Sequence, residues 1–376
     1  MKLCIVTHKV AIGDGQGRVN YEVAWEAIRR GHHVTLLASN VDPELQQHSQ
    51  VNWIVIPVKR YPTQLFREIA FSIQSGWWLY KHQREFDLIK VNGAITWARG
   101  DVNAVHFVHS SWLRSPVNRS EQHRGLRRTY NWLYTALNAD WEKKAFSKAK
   151  AIVAVSKQVE QELLEIGVPS ERIRVILNGV DLEEFCPGEA KRQTWALPEG
   201  VTLALFAGNA QTPRKNLETV LRALAQVPEL HLVIAGTTTG TTYPQLVASL
   251  NLSNRVHFLE HRTDVPELMK AVDLLVFPSR YEPFGLVVIE AMAAGLPVIT
   301  ASTTGAAELV TPESGVVLQN PDDAEALAKA LLPLVGDRNL RSQMGQAARA
   351  IAKQHSWDKM AQSYVKLFEE LVSQGA

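Results

Sequence analysis

The sequence predicts two α/β domains, each built on a parallel sheet. Three observations carry this. Short apolar runs rich in Val, Ile and Leu recur along the chain, as strands buried on both faces require. They alternate with longer stretches of helical periodicity. The order strand, glycine-bearing loop, helix appears at the N-terminus and restarts at Leu203, beyond a Pro187-Gly188 pair that reads as a linker. The 376 residues, 46% of them hydrophobic and 21% charged, suffice for two ordinary cores.

Leu3-Cys4-Ile5-Val6-Thr7 is the first predicted strand. It runs into Gly13-Asp14-Gly15-Gln16-Gly17, after which Val19, Val23, Ala24, Ala27 and Ile28 recur at helical spacing up to Gly31. A glycine loop here can cradle a phosphate or admit a sugar against bare backbone, or it can be a plain turn. Its G-x-G-x-G spacing is not the dinucleotide G-x-G-x-x-G, which disfavours an NAD site. Val34 to Leu37, Val51 to Ile56 and Asp87 to Val91 continue as strands. Between the last two, Phe66, Ile69, Ala70, Ile73, Trp77 and Tyr80 share one helical face, read as core packing.

Val102 to Ser110 reads as a strand carrying His106 and His109, which face opposite ways. The C-terminal ends of parallel strands are where α/β folds put ligands. Leu126, Tyr130, Leu133, Leu137 and Trp141 form another helical stripe. Around it cluster Arg114, Arg119, Arg124, Arg127, Arg128, Lys143, Lys144, Lys148 and Lys150. Core packing is the default for its apolar face. The alternative is contact with an anionic bilayer, since basic amphipathic segments with tryptophan bind such surfaces. Ala151 to Ser156 and Ile173 to Ile176 are further strands ahead of Asn178-Gly179-Val180-Asp181.

The formal net charge is +2, so nothing global points to nucleic acid. The halves differ: 24 Lys and Arg against 19 Asp and Glu precede Pro187, and 16 against 19 follow from there. Cys4 and Cys186 lie far apart without metal-ligand spacing, so neither a disulfide framework nor a zinc site is expected. The first residues lack the apolar core of a signal peptide, and no run approaches the length of a membrane span. A cytoplasmic protein is expected, with the inner membrane face as a possible peripheral location.

In the second half, Leu203 to Gly208 is a strand, and after a loop Arg214-Lys215-Asn216 is expected to open a helix. Two adjacent cations there oppose the helix dipole unless an anion lies nearby. A diphosphate would fit; a solvated charge pair is the plain alternative. Leu232 to Gly236 is a strand leading to the polar loop Thr237 to Thr242, expected to be mobile, and Val256 to Leu259 is another. The apolar run Leu274 to Phe277 then ends at Pro278, and a helix is expected from Pro283 or Phe284 to Gly295. The Phe284, Gly285 and Leu286 amides would be free at its start, a suitable seat for a diphosphate. Glu282 and Glu290 would stand roughly 8 to 12 Å apart at the helical rise per residue, one on each side of that anion. Such glutamates can also be surface charges favoured by the dipole.

Glu282-Pro283-Phe284-Gly285 followed by Glu290, with seven residues between the glutamates, resembles the signature of family 4 retaining glycosyltransferases. The resemblance covers nearly the whole chain and is thinnest from Pro57 to Lys148. It implies the GT-B fold: two Rossmann-like domains facing across a cleft, with a C-terminal helix crossing back to the first. Residues 1–185 with 357–376 would then bind the acceptor, and residues 186–356 the nucleotide sugar. By the same resemblance Arg214, Lys215 and the Phe284, Gly285 and Leu286 amides would hold the diphosphate, and Glu290 the ribose. Glu282 and His109 would orient the hexose, and the loop carrying Gly15 and Gly17 would meet the sugar or the acceptor. Two departures stand out: Arg18 where relatives carry a paired glycine and a glutamate, and Glu260 where many carry glycine.

The implied activity is transfer of a hexosyl group to an acceptor hydroxyl on a glycan, lipid or small molecule. No cofactor or metal is expected, because protein cations and amides would neutralise the leaving diphosphate. The rival readings are a hydrolase or sugar-nucleotide epimerase on the same scaffold, a non-catalytic nucleotide-sugar-binding module and, more remotely, a dehydrogenase.

Overall fold

The computed structural model describes the backbone of residues 1–121 and 126–375, and their side chains except at 119–121, 126–128 and 375. Arg119, Arg124, Leu126, Arg127 and Arg128 of the basic segment therefore lie outside the described side chains. The chain divides into two units, Met1–Asn178 with Trp357–Ala376, and Gly179–Ser356.

The first unit is built on seven strands: β1 (Lys2–Val10), β2 (His33–Val41), β3 (Val51–Val55), β4 (Leu88–Asn92), β5 (Val102–Val105), β6 (Ala151–Ala154) and β7 (Ile173–Val175). Every pairing is parallel, in the order β3-β2-β1-β4-β5-β6-β7. Leu3 to Val6 of β1 are fully buried, as a central strand with helices on both faces demands. The second unit holds β8 (Thr202–Ala207), β9 (Leu230–Ala235), β10 (Val256–Phe258), β11 (Leu274–Phe277), β12 (Val298–Ala301) and β13 (Gly315–Leu318). Their order is β10-β9-β8-β11-β12-β13, again all parallel. In each sheet the strand order reverses once, between β1 and β4 and between β8 and β11. Such a reversal leaves a crevice at the C-terminal ends of the two strands, where doubly wound sheets bind ligands.

The division between units falls after Asn178, seven residues before the Phe185–Cys186 boundary expected from the sequence. The intervening segment is anchored to the second unit. The Val180 amide donates to the His355 carbonyl at 3.0 Å. The Arg349 guanidinium donates to the carbonyls of Leu182 at 2.9 Å and Phe185 at 2.7 Å. The final helix, Trp357–Gly375, belongs to the first unit. It buries Tyr364 and Phe368, and Asp358 and Glu369 pair with Arg29 and Arg30, each at 2.9 Å.

The helix Gln64–His82 departs from expectation. Its buried face is Ala70, Phe71, Ser75, Gly76 and Leu79, whereas Phe66, Ile73, Trp77 and Tyr80 point to solvent. The loop Thr237 to Thr242 differs too, for it is pinned rather than loose. The Glu260 carboxylate accepts from the Thr238 amide at 3.1 Å and from its hydroxyl, and the Gln211 amide donates to the Thr239 carbonyl at 2.9 Å.

Candidate active site

A cluster of polar groups in the second unit forms at the reversal between β8 and β11. After β8, residues Pro213–Lys215 make a 3-10 turn, and Asn216 takes a left-handed conformation (φ 64°) before the helix Leu217–Leu224. Arg214 and Lys215 thus precede the helix rather than opening it. Asparagine tolerates this conformation, and its fully buried side chain donates to the carbonyls of Pro278 at 3.1 Å and Pro321 at 2.6 Å. That tie fastens the basic turn to the segment leaving β11.

The β11 segment is fastened in turn to the loop after β12. The Glu282 amide donates to the Thr303 carbonyl at 3.0 Å, and the Glu282 carbonyl accepts from the Gly305 amide at 2.8 Å. Gly285 has φ +90°, and a Cβ there would stand 2.9 Å from the Thr304 methyl. Only glycine meets both constraints. The helix spans Leu286–Ala293, starting beyond the position expected from the sequence because Gly285 must turn the chain first. Among the described residues the Phe284, Gly285 and Leu286 amides find no acceptor. They remain able to meet an anion.

The side chains converge. An Arg214 terminal nitrogen donates to Glu282 Oε2 at 2.9 Å and to the Tyr281 carbonyl at 2.9 Å. The Lys215 ammonium bonds the same Glu282 oxygen and lies 4.8 Å from the Phe277 ring centre. Desolvation alone would raise the Glu282 pKa, but the two cations outweigh it and hold the carboxyl below its ordinary value. Desolvation and the neighbouring Arg214 push Lys215 down, against the pull of Glu282. The two cations and the carboxylate are thus held together in a half-buried turn. Glu290 stands in the second turn of the helix with no side-chain partner among the described residues. Loss of solvation, with help from the Glu184 carboxylate, pushes its pKa up to about 7.

In the first unit, Gly15 opens the helix Gly15–Arg29 and Asp14 caps it, its carboxylate accepting from the Gly17 amide at 2.6 Å. A Cβ on Gly17 would meet the Ala11 carbonyl at 2.8 Å, so packing accounts for that glycine and the cap occupies its amide. The strand β5 ends at Val105, and His109 opens the helix His109–Arg114. The His109 backbone amide and Nδ1 meet the two oxygens of Glu142 at 2.9 and 2.5 Å. Glu142 is buried on the helix Leu126–Lys148. It was not singled out from the sequence, because nothing local connects residues 33 positions apart. Nearby, His8 Nε2 meets Glu68 at 2.8 Å, and the Tyr134 ring centre is 6.0 Å from that of His109. His106, the alternative histidine, is held neutral: burial above all, with the Lys90 charge, lowers its pKa to about 3.

Residues 188–351 match the family described as glycosyl transferases group 1, and residues 13–184 match glycosyltransferase family 4. The chain belongs to this glycosyltransferase family. A D-inositol 3-phosphate glycosyltransferase of Salinispora tropica is 29% identical over 77% of this chain and 65% of its own length. The chain therefore spans just under two thirds of that relative. Among solved structures, sucrose-phosphate synthase of Thermosynechococcus elongatus has a TM-score of 0.80 at 22% identity, over 99% of both chains. HepE of Anabaena, solved with UDP-glucose, has a TM-score of 0.72 at 22% identity, over 98% of this chain and 100% of that one. These likenesses are of fold, and they agree with the GT-B architecture expected from the sequence.

Two outcomes are expected. The folded protein keeps a proton on Glu290 up to about pH 7, whereas the unfolded chain releases it near the ordinary carboxyl value. The folded state thus binds more protons across that window, and Glu290 makes stability fall as pH rises through it. Melting of wild type and Glu290→Gln between pH 5 and pH 8 tests this: the variant should lose that part of the slope, and identical slopes would refute it. Glu142→Ala leaves two His109 donors unpaired and should cost about 1.5–3 kcal/mol in denaturant unfolding. An unchanged midpoint would show the pair to be idle.

Proposed function

We propose that the protein transfers a hexosyl group from a nucleoside-diphosphate sugar to an acceptor hydroxyl, with retention of anomeric configuration. The observation that carries this is the Arg214–Lys215–Glu282 cluster beside the unpaired amides of Phe284, Gly285 and Leu286. A diphosphate is the kind of anion that adjacent cations and open backbone amides suit. As the anomeric C–O bond breaks, charge grows on the departing phosphate, and fixed donors already aimed there lower the barrier. Glu282, kept ionised by the cations on its Oε2, can accept from the hexose hydroxyls at its other oxygen. Glu290 is proposed to hold the ribose, and His109, fixed by Glu142, to orient the hexose. The Gly15 end of the first helix is proposed to approach the sugar or the acceptor; Gly17 shapes that turn.

No divalent metal enters the proposal, because two side-chain cations take the electrostatic role. The fold of a UDP-glucose complex and membership of a glycosyltransferase family support the donor class. A hydrolase reading leaves the basic pair without a purpose. A thermal-shift panel of UDP-, GDP- and ADP-sugars identifies the donor, and product analysis with that donor separates transfer from hydrolysis.

Turnover should survive EDTA, and complete loss in EDTA would contradict the metal-free reading. In the same assay Lys215→Ala should lower kcat/KM by about ten- to hundredfold, the weight of one charge-assisted hydrogen bond.

A further inference from the structure

The outer face of the helix Gln64–His82 calls for a partner. Phe66, Ile73, Trp77 and Tyr80 lie on one side of it, 54, 51, 59 and 66% exposed. Their spacing of seven, four and three residues keeps them in line along the axis. Trp97, 48% exposed, extends the face: it packs so closely on the helix that a Cβ at Gly76 would stand 2.1 Å from its Nε1. Contiguous exposed aromatic surface of this kind marks a binding face. Beside it a cleft of about 280 Å³ separates this helix from Leu126–Lys148, lined by Ile69, Ile73, Trp97 and Trp141 with Lys144 and Lys148.

The charges identify the partner. Lys81 lies 6.0 Å from the Trp77 ring centre, and Lys81, Arg84, Lys144 and Lys148 are all exposed. Lys144 pairs with Asp140 at 2.6 Å and that pair carries no net charge, so the positive excess rests on Lys81, Arg84 and Lys148, the last donating to the Trp97 carbonyl at 3.1 Å; Glu85 is drawn to His82 at 2.8 Å. Tryptophan and tyrosine settle at the level of lipid headgroups, and lysine can reach past an apolar surface to anionic phosphate. A second copy of this chain docking face to face would oppose like charges. No helix among the described residues is long and apolar enough to cross a membrane, so the contact would be a surface one.

We propose that the Phe66–Ile73–Trp77–Tyr80 face, with Trp97 and the lysines of the adjoining cleft, docks the protein on an anionic lipid surface. The sequence suggested the stripe Leu126 to Trp141 as a lipid contact; the structure puts the larger aromatic exposure on the preceding long helix. This inference is independent of the donor chemistry, because the face shares no residue with the proposed catalytic set.

The test is sedimentation of the full chain with phosphatidylcholine vesicles, with and without phosphatidylserine, at low and high salt. Wild type should co-sediment with the anionic vesicles at low salt, and about tenfold less with neutral vesicles or at high salt. Trp77→Ser/Tyr80→Ser and Lys144→Glu/Lys148→Glu should each lose most of the binding while circular dichroism stays unchanged. Absence of wild-type binding at low salt would overturn the proposal, as would binding at the wild-type level in either double variant. A concentration-dependent dimer dispersed by Trp77→Ser/Tyr80→Ser, without vesicle binding, would overturn it in favour of self-association.

Discussion

One carboxylate shared between two cations organises the second unit. Glu282 draws Arg214 and Lys215 onto a single oxygen, although both come from the turn after β8 and Glu282 comes from the segment after β11. Without Glu282, two adjacent positive charges in a half-buried turn would repel each other, and Lys215 would lose the carboxylate that offsets its desolvation. Without the cations, burial would raise the pKa of this carboxyl rather than let it fall. Each member of the cluster therefore offsets the cost of burying the others.

The scaffold makes that set possible. β8 and β11 are neighbours in a parallel sheet, paired at Leu274 with Ala204 and at Leu275 with Leu205, so the loops leaving them emerge side by side. Backbone ties then remove the freedom that loops ordinarily keep. Asn216 bonds the carbonyls of Pro278 and Pro321, Ser279 Oγ donates to the Arg214 carbonyl at 2.9 Å, and the Arg280 amide does so at 2.7 Å. Side chains on a turn held this way keep their positions without a ligand, which is the preorganisation an electrostatic site requires.

Much of this was legible in the sequence, and the remainder was hidden for physical reasons. Apolar runs such as Leu274 to Phe277 marked their strands because parallel strands are buried on both faces and tolerate little else. The motif from Glu282 to Glu290 and the basic pair could be singled out because residue type and spacing were local. The pairing of Arg214 and Lys215 with Glu282 was not legible, because it depends on which strands are neighbours. Glu142 stayed hidden for the same reason. The stripe on Gln64–His82 misled because periodicity reports that a helix has an apolar face, not what covers it. The boundary after Asn178 was missed because the proline-glycine pair marks a bend, whereas the division follows the hydrogen bonds of Val180 and Arg349. The exact helix start depended on the left-handed turn at Gly285, which leaves no trace in helix propensity.

Calorimetric titration into wild type and Arg214→Ala/Lys215→Ala is the most direct measurement of the central claim, using the nucleoside diphosphate that the thermal-shift panel selects and its parent nucleoside. On the proposed reading the cluster holds the diphosphate, so the double variant should bind that nucleotide at least about a hundredfold more weakly, two charge-assisted hydrogen bonds being lost. Its affinity for the nucleoside should remain that of the wild type. Equal affinity of the two proteins for the nucleoside diphosphate would contradict the account.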